Sequence, residues 1–294
     1  MSQKVMIDGN LLEPDQATIS VFDRGFLYGD AVFETIRTYG GLPFEIDQHL
    51  ERLAWSAGRV FIPLPVPLDV LHAEVRVAVD AAQNPESYIR VMVTRGRGAM
   101  GLDPSTTEHS ARVIIVDRLD PPPATAYAQG IAAITFKTQR FGDATAAAGA
   151  KVANYLVAVL AMREARAAGA SEALITDHTG RIVEGSTSNV FAVQAGELIT
   201  PPESSGILPG ITRRRVLEAA TDLALPVRYR AFDQASLCGH DELFVCSSIR
   251  ELLPVVRVDG RPVGGGAPGP LTLALLEKFR EHVARDMGLA QSVR

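Results

Sequence analysis

Residues 144–162 read ATAAAGAKVANYLVAVLAM, and Lys151 is the single charged residue among them. This density of alanine, valine and leucine predicts a helix buried on several faces. An unpaired ammonium inside such a core is costly. A lysine so placed either sheds its proton to act as a neutral nucleophile or joins a carbonyl as a Schiff base. The alternative is a lysine whose stem lies in the core while its head reaches water. Three further motifs favour chemistry.

The surrounding composition is that of an ordinary globular protein, 47% hydrophobic and 21% charged over 294 residues. That length suits two core-forming units or one large one. A net charge of -5 with no basic stripe argues against a nucleic-acid partner. The densest basic run, Arg213–Arg215, is expected on the first turns of a helix. Cys238 and Cys246, the only cysteines, make neither a disulfide framework nor a structural zinc site, and no metal is expected. They suggest a reducing compartment. The opening MSQKVMIDGN lacks the apolar region of a signal peptide, and no apolar run is long enough for a bilayer. A cytoplasmic protein without membrane contact is the expectation.

Short strands are predicted in KVMIDGN, ATISVFDRG and AVFETIRTYGG, punctuated by Asp-Gly, Arg-Gly and Gly-Gly. A helix from about Asp47 buries Ile46, Leu50, Leu53 and Ala57; after Pro63–Pro67 a second, Asp69–Ala82, buries Val70, Leu71, Val75 and Val79. Strands follow at Tyr88–Thr94 and Arg112–Val116. The segment DRLDPPPAT, 117–125, reads as a linker because three consecutive prolines join neither a helix nor a central strand. Beyond it come a strand near Ile131–Phe136, the Lys151 helix, strands Glu172–Thr176 and Val190–Val193, a helix from Ile211, a strand at Leu243–Val245 and a terminal helix from Leu271. The expectation is an α+β chain of two domains: residues 1–119, a linker at 120–125, and residues 126–294.

Four motifs carry possible chemistry. Gly96–Gly101 matches G-x-G-x-x-G, but Leu102-Asp103-Pro104 follows and no crossover helix fits, so a turn beside a pocket is expected instead of a dinucleotide site. Gly206–Thr212, GILPGIT, sets free amides and a hydroxyl at a helix start, which suits a phosphate; ordinary capping by Thr212 is the alternative. In Val183–Val190, VEGSTSNV, Glu184 enters a hydroxyl-rich turn, where it could hold a protonated ring nitrogen or stand exposed. Cys246–Glu251, CSSIRE, offers a second anion nest or a plain serine-rich loop. Arg52 on the first helix is a candidate phosphate clamp. An amine, a ring-nitrogen carboxylate and phosphate donors, with no nucleotide motif, are what pyridoxal phosphate needs.

With these motifs the chain resembles the fold-type IV pyridoxal-phosphate enzymes, the branched-chain and D-amino-acid aminotransferase superfamily, from Asp23 to about Pro254. The resemblance lies in DRGFLYGDAVFETIR (23–37), HLERL (49–53), YIRVMVTRG (88–96), KVANYL (151–156), EGSTSNVF (184–191), LPGITR (208–213) and SSIRELLPV (247–255). It implies a small N-terminal α/β domain, a larger C-terminal domain with a barrel-like sheet that anchors the cofactor, and a homodimer or higher homo-oligomer. It further implies that Lys151 binds pyridoxal 5'-phosphate covalently and moves the substrate proton, and that Glu184 pairs with the ring nitrogen. Arg52, Ile211, Thr212 and Ser248 would hold the phosphate, and Tyr155 would contact the phenolic oxygen. Ser188, Asn189 and Ser247 join the cofactor-binding set.

On the strand 88–94, Tyr88, Arg90, Met92 and Thr94 share one face and Ile89, Val91 and Val93 the other. Tyr88 and Arg90 are expected to point at a substrate pocket, and the Tyr-Ile-Arg spacing followed by GAMGLDP resembles branched-chain enzymes, in which the substrate carboxylate would meet Tyr88 and the backbone amides near Ser248 and Ile249 while Tyr28, Phe33 and Met100 line an apolar pocket. Transamination of branched-chain L-amino acids with 2-oxoglutarate is therefore expected. The opening DRGFLYGDAVFET looks closer to D-amino-acid aminotransferases and aminodeoxychorismate lyases, and Arg90, Arg95 and Arg97 could form a carboxylate trap favouring D-substrates. Both alternatives stay open at this level.

Overall fold

The computed structural model of the chain describes residues 3–107, 109–138, 145–177 and 179–290. The chain divides into two compact units, Met1–Asp120 with Ala150–Asn154, and Pro121–Gly149 with Tyr155–Arg294. The segment holding Lys151 therefore groups with the N-terminal elements, although it lies within the stretch 126–294 expected to form the second domain. No helix among the described residues is long and apolar enough to cross a membrane.

In the first unit, β1 (Lys4–Ile7), β2 (Asn10–Leu12), β3 (Ala31–Tyr39), β4 (Leu42–Pro43), β5 (Ser87–Thr94) and β6 (Ala111–Arg118) form one sheet. Its order is β2-β1-β6-β5-β3-β4, with every pairing antiparallel. Asp8-Gly9 links β1 to β2 with both residues at positive φ, 48° and 86°, as a two-residue hairpin turn requires. The unit also holds α1 (Arg24–Tyr28), α2 (Ile46–Arg59) and α3 (Leu68–Ala82). Period-two alternation sends Val32, Ile36, Ile89, Val91, Val93, Ile114 and Val116 into one core with Leu50, Leu53, Ala57, Leu71, Val75 and Val79 of α2 and α3. Each such side chain contributes about 1.5–3 kcal/mol on burial, so a one-residue slip of the sheet would be heavily penalised. Val70, expected on the buried stripe, is exposed.

Two predicted elements are corrected. ATISVFDRG is not a strand: Ile19, Val21 and Phe22 lie exposed in a turn region, and the Asp23 side chain accepts from the Gly25 amide to start α1. Lys151 is not helical either. Gly149 sits at φ 75°, and the extended residues after it pair with β3 through Phe33 N–H to Lys151 O (3.0 Å) and Ala153 N–H to Ala31 O (2.9 Å). Backbone partners on the sheet outweigh the helical propensity of alanine, and the helix begins only at Leu156.

The second unit contains α4 (Ala124–Gln129), β7 (Ile131–Phe136), α5 (Leu156–Ala167), β8 (Glu172–Thr176), β9 (Arg181–Gly185), β10 (Asn189–Gln194) and β11 (Glu197–Thr200). It continues with α6 (Ile211–Asp222), β12 (Val227–Tyr229), β13 (Phe232–Asp233), β14 (Glu242–Ser247), β15 (Glu251–Val258), β16 (Arg261–Pro262) and α7 (Pro270–Asp286). The sheet order is β12-β11-β10-β14-β15-β7-β8-β9-β13, with β16 on β15. Strands β9 and β10 are separated in that order by β14, β15, β7 and β8, yet only Ser186, Thr187 and Ser188 connect them. On a flat sheet the gap would be about 24 Å, whereas such a link spans at most about 14 Å. The sheet must therefore curl until its far strands meet, and Gly185 N–H reaches Ser188 O at 2.7 Å. Leu174, Ile182, Val190, Ala192, Val245 and Leu253 share one core of this barrel-like sheet.

Candidate active site

Phe33 and Glu34 are neighbours on β3 and so face opposite sides of the first sheet. On the Phe33 side, Lys151 Nζ lies 4.6 Å and the Arg90 guanidinium 3.9 Å from the Phe33 ring centroid. The lysine backbone is fixed as well: its N–H donates to Ser56 Oγ at 3.1 Å and Val152 bridges Val32. Tyr88, Arg90 and Met92 are half-buried opposite Arg37, Thr35 and Phe33.

On the helix-packed side, Glu34 is fully buried. It accepts Arg52 Nε at Oε1 and Arg52 Nη2 at Oε2, each at 2.7 Å, while His49 Nδ1 donates to Oε2 at 2.7 Å. Burial raises the Glu34 carboxyl, but the charge and hydrogen bonds of Arg52, then those of His49, outweigh it and hold the group at about 2. Arg52 is thus a buried residue on α2.

The turn that follows β5 carries Met100, which is exposed, and Tyr28 Oη accepts from Gly101 N–H at 3.0 Å. Arg95, weighed as part of a carboxylate trap, donates to both Asp30 oxygens at 2.7 and 3.0 Å and to the carbonyls of Phe61 and Val60 at 2.7 and 2.8 Å.

In the second unit, Asn189 at the start of β10 pairs with Cys246 near the end of β14, so the turns 186–188 and 247–250 share one end of the curled sheet. Glu184 lies on β9 and its Oε2 accepts from Leu208 N–H at 3.3 Å. Asn189 Nδ2 donates to Leu208 O at 3.0 Å. The loop held between them runs into α6, whose N-cap is Gly210, not Thr212. A Cβ on Gly210 would lie 2.0 Å from Asn189 Oδ1, so any side chain there must displace the Asn189 amide. With no capping side chain, the first-turn amides of Ile211 and Thr212 lie at the positive end of the helix without an intrahelical partner. These groups fit a phosphate, and the Glu184 carboxylate at the base of the same loop fits a protonated ring nitrogen. Ser247, Ser248 and Ile249 form the half-buried turn beside them, and Tyr155 stands at the N-cap of α5.

Glu172 was not singled out from the sequence, yet it organises this end of the sheet. Fully buried, it accepts from Ser186 N–H (3.1 Å), Ser186 Oγ (2.6 Å), Ser188 Oγ (2.8 Å) and Arg250 Nη1 (2.8 Å). Arg250 Nη2 donates to Thr187 Oγ1, so the two turns are stapled together. Burial raises the Glu172 carboxyl, but Arg250 and the hydroxyl and amide donors prevail and lower it. Ser188 gives its hydroxyl proton to Glu172 and would meet a ligand only as an acceptor.

An antiparallel sheet backed by two helices and a curled sheet joined to further helices define the fold-type IV aminotransferase architecture. The chain belongs to the class IV aminotransferases: the family model described as Amino-transferase class IV matches residues 31–258. It is 33% identical over 286 residues to the branched-chain-amino-acid aminotransferase of Escherichia coli strain K12, covering 94% of this chain and 91% of that one. It is 32% identical over 275 residues to the D-alanine aminotransferase of Bacillus licheniformis, covering 92% and 93%. The crystal structure of the branched-chain aminotransferase of the thermophilic archaeon Thermoproteus uzoniensis with norvaline superposes with a TM-score of 0.88 at 31% identity, covering 96% of this chain and 95% of that one. The chain is therefore an enzyme, a transferase moving amino groups between amino acids and oxo acids.

Proposed function

We propose that the enzyme uses pyridoxal 5'-phosphate to transaminate branched-chain L-amino acids with 2-oxoglutarate. The observation that carries the cofactor is the loop Leu208–Thr212, whose first amide binds the Glu184 carboxylate and whose last two amides open α6; the substrate class is supported by the similarity to branched-chain aminotransferases. When bound, the cofactor ring withdraws electrons from substrate Cα and makes its proton removable. Lys151 Nζ would hold the cofactor aldehyde, with loss of water, until the donor amine displaces it, and as the freed amine it would take the proton from substrate Cα. Glu184 pairs with the ring nitrogen and keeps it protonated. Arg52, Ile211, Thr212 and Ser248 hold the phosphate, and Ser188, Asn189, Ser247 and Tyr155 complete the cofactor's surroundings. Tyr28, Phe33 and Met100 line the side-chain pocket with Arg90 facing it, while Tyr88 and the backbone amides near Ser248 and Ile249 orient the substrate carboxylate.

The L-preference is favoured because Arg95 is already engaged by Asp30 and two carbonyls, which weakens the case for a carboxylate trap. We assign residues 1–119 to a small N-terminal domain, 120–125 to a linker and 126–294 to a cofactor-anchoring domain, whose residues around Lys151 group with the first unit. A cytoplasmic homodimer is proposed. Free Cys238 and Cys246, and the exposed Phe22, Phe26, Leu156 and Val159, support it.

The test is to give purified enzyme single L- and D-amino acids and follow the cofactor absorbance. Conversion by L-leucine and L-valine but not D-alanine is expected. Conversion by D-alanine alone would overturn the substrate assignment, and pyruvate released from aminodeoxychorismate without an oxo acid would make the enzyme a lyase.

A further inference from the structure

Two motifs that point toward different members of the family form one structural unit in this chain. Arg24, from the opening DRGFLYGD, is only 3% exposed. Its Nη1 donates to the Gly101 carbonyl at 2.8 Å and to that of Asp103 at 3.4 Å, and its Nη2 donates to the Leu102 carbonyl at 3.3 Å. Its Nε donates to Asp30 Oδ2 at 2.9 Å, and the guanidinium lies 5.0 Å from the centroid of the Tyr28 ring. Tyr28 Oη in turn accepts from Gly101 N–H at 3.0 Å. Three consecutive carbonyls and one amide of the turn GAMGLDP are thus gripped by α1 and its flank.

A buried guanidinium requires several acceptors in the plane of its fork, and the turn supplies them. Asp30 supplies the counter-charge and is itself anchored, because Arg95 joins it to the carbonyls of Val60 and Phe61 at the end of α2. The backbone of the turn is therefore tied to two helices. Its side chains behave otherwise: Met100 is 75% and Leu102 79% exposed. Large apolar side chains held out on so firmly tethered a backbone are suited to meeting an apolar ligand.

We propose that Arg24 is a specificity-determining positioning residue. With Asp30, it fixes the turn that presents Met100 to the substrate side chain, so that donor size is read by a wall α1 holds still. The proposal rests on the assignment of Met100 and Tyr28 to the substrate pocket. Lysine cannot replace Arg24, since one ammonium cannot span three successive carbonyls while pairing with Asp30.

Holoenzymes carrying Arg24→Gln, Arg24→Lys and Asp30→Asn are compared with the wild type on L-leucine, L-valine and L-alanine, with 2-oxoglutarate as acceptor. Thermolysin cleavage within the turn 98–103 is timed in parallel. The leucine-to-alanine ratio of kcat/KM is expected to move toward unity on the order of tenfold, the discrimination a methylene-sized apolar contact carries. Cleavage of the turn should quicken in the same variants. Faster cleavage with an unchanged ratio overturns the proposal while leaving the aminotransferase assignment intact, and so does a changed ratio with unchanged cleavage. A wild type that turns over no amino donor overturns that assignment itself. Should Arg24→Gln fail to fold, Asp30→Asn, which keeps the guanidinium and removes its counter-charge, decides by the same two readouts.

Discussion

Glu34 takes both Nε and Nη2 of Arg52 at 2.7 Å on the face of the sheet that otherwise packs aliphatic side chains against α2 and α3. A charged pair in that position is held by geometry and by His49, and its cost in isolation would be large.

This pair gives the chain a defined acid response. The folded Glu34 carboxyl lies at about 2, below its ordinary 4.5, so its stabilisation is complete above about pH 4.5 and is lost as pH falls through about 2. The difference is on the order of 3 kcal/mol. Urea unfolding of Glu34→Gln should show a loss of stability across this pH window smaller by that order than in the wild type. Identical acid sensitivity of the two proteins would refute it.

Lys151→Ala should abolish turnover, and borohydride should no longer fix the cofactor to the chain, as mass spectrometry of the intact protein would show. Neutral methyl replaces the amine, while the backbone bonds to Ser56 and Phe33 do not need the side chain. Residual turnover near the wild-type rate would contradict the role given to this lysine.

Glu184→Gln should lower the rate of substrate proton transfer on the order of a hundredfold while changing cofactor affinity far less. Single-turnover absorbance with a deuterated donor, set beside a cofactor titration, separates the two effects. Weak binding with an unaltered rate would assign Glu184 to retention only.

Gly210→Ala should weaken pyridoxal phosphate binding about tenfold, ~1.4 kcal/mol, and leave binding of unphosphorylated pyridoxal nearly unchanged. The backbone of Gly210, at φ -66°, accepts alanine, so any effect comes from the new Cβ against Asn189. Equal weakening toward both ligands would place the fault outside the phosphate cradle.

Periodicity made α2, α3, α6, α7 and the alternation of β5 legible in the sequence, because their burial repeats within one element. The motif around Gly210 was equally readable, since a helix start is a local event. Lys151 was located but its conformation was not: alanine composition reports propensity, whereas the strand it joins belongs to residues near position 32. Glu34 left a signal, a carboxylate in phase with Val32 and Ile36, that asks for a buried cation. Glu172 left less, because its partner Arg250 lies 78 residues away and no short pattern connects them. Arg24 belongs to the motif DRGFLYGD, but its grip on Gly101–Asp103 emerges only in three dimensions.

Because Ala150–Asn154 is grouped with Met1–Asp120, the polypeptide leaves its first unit and later returns to it for five residues. A fragment ending at Asp120 would keep Arg52 and Phe33 but lose Lys151, and a fragment starting at Pro121 would carry that lysine without the strand it pairs with. Neither half is a natural building block for recombination. Modular shuffling, gene fission or expression of separate halves should all fail at this boundary, and permuted versions of the enzyme need new termini elsewhere.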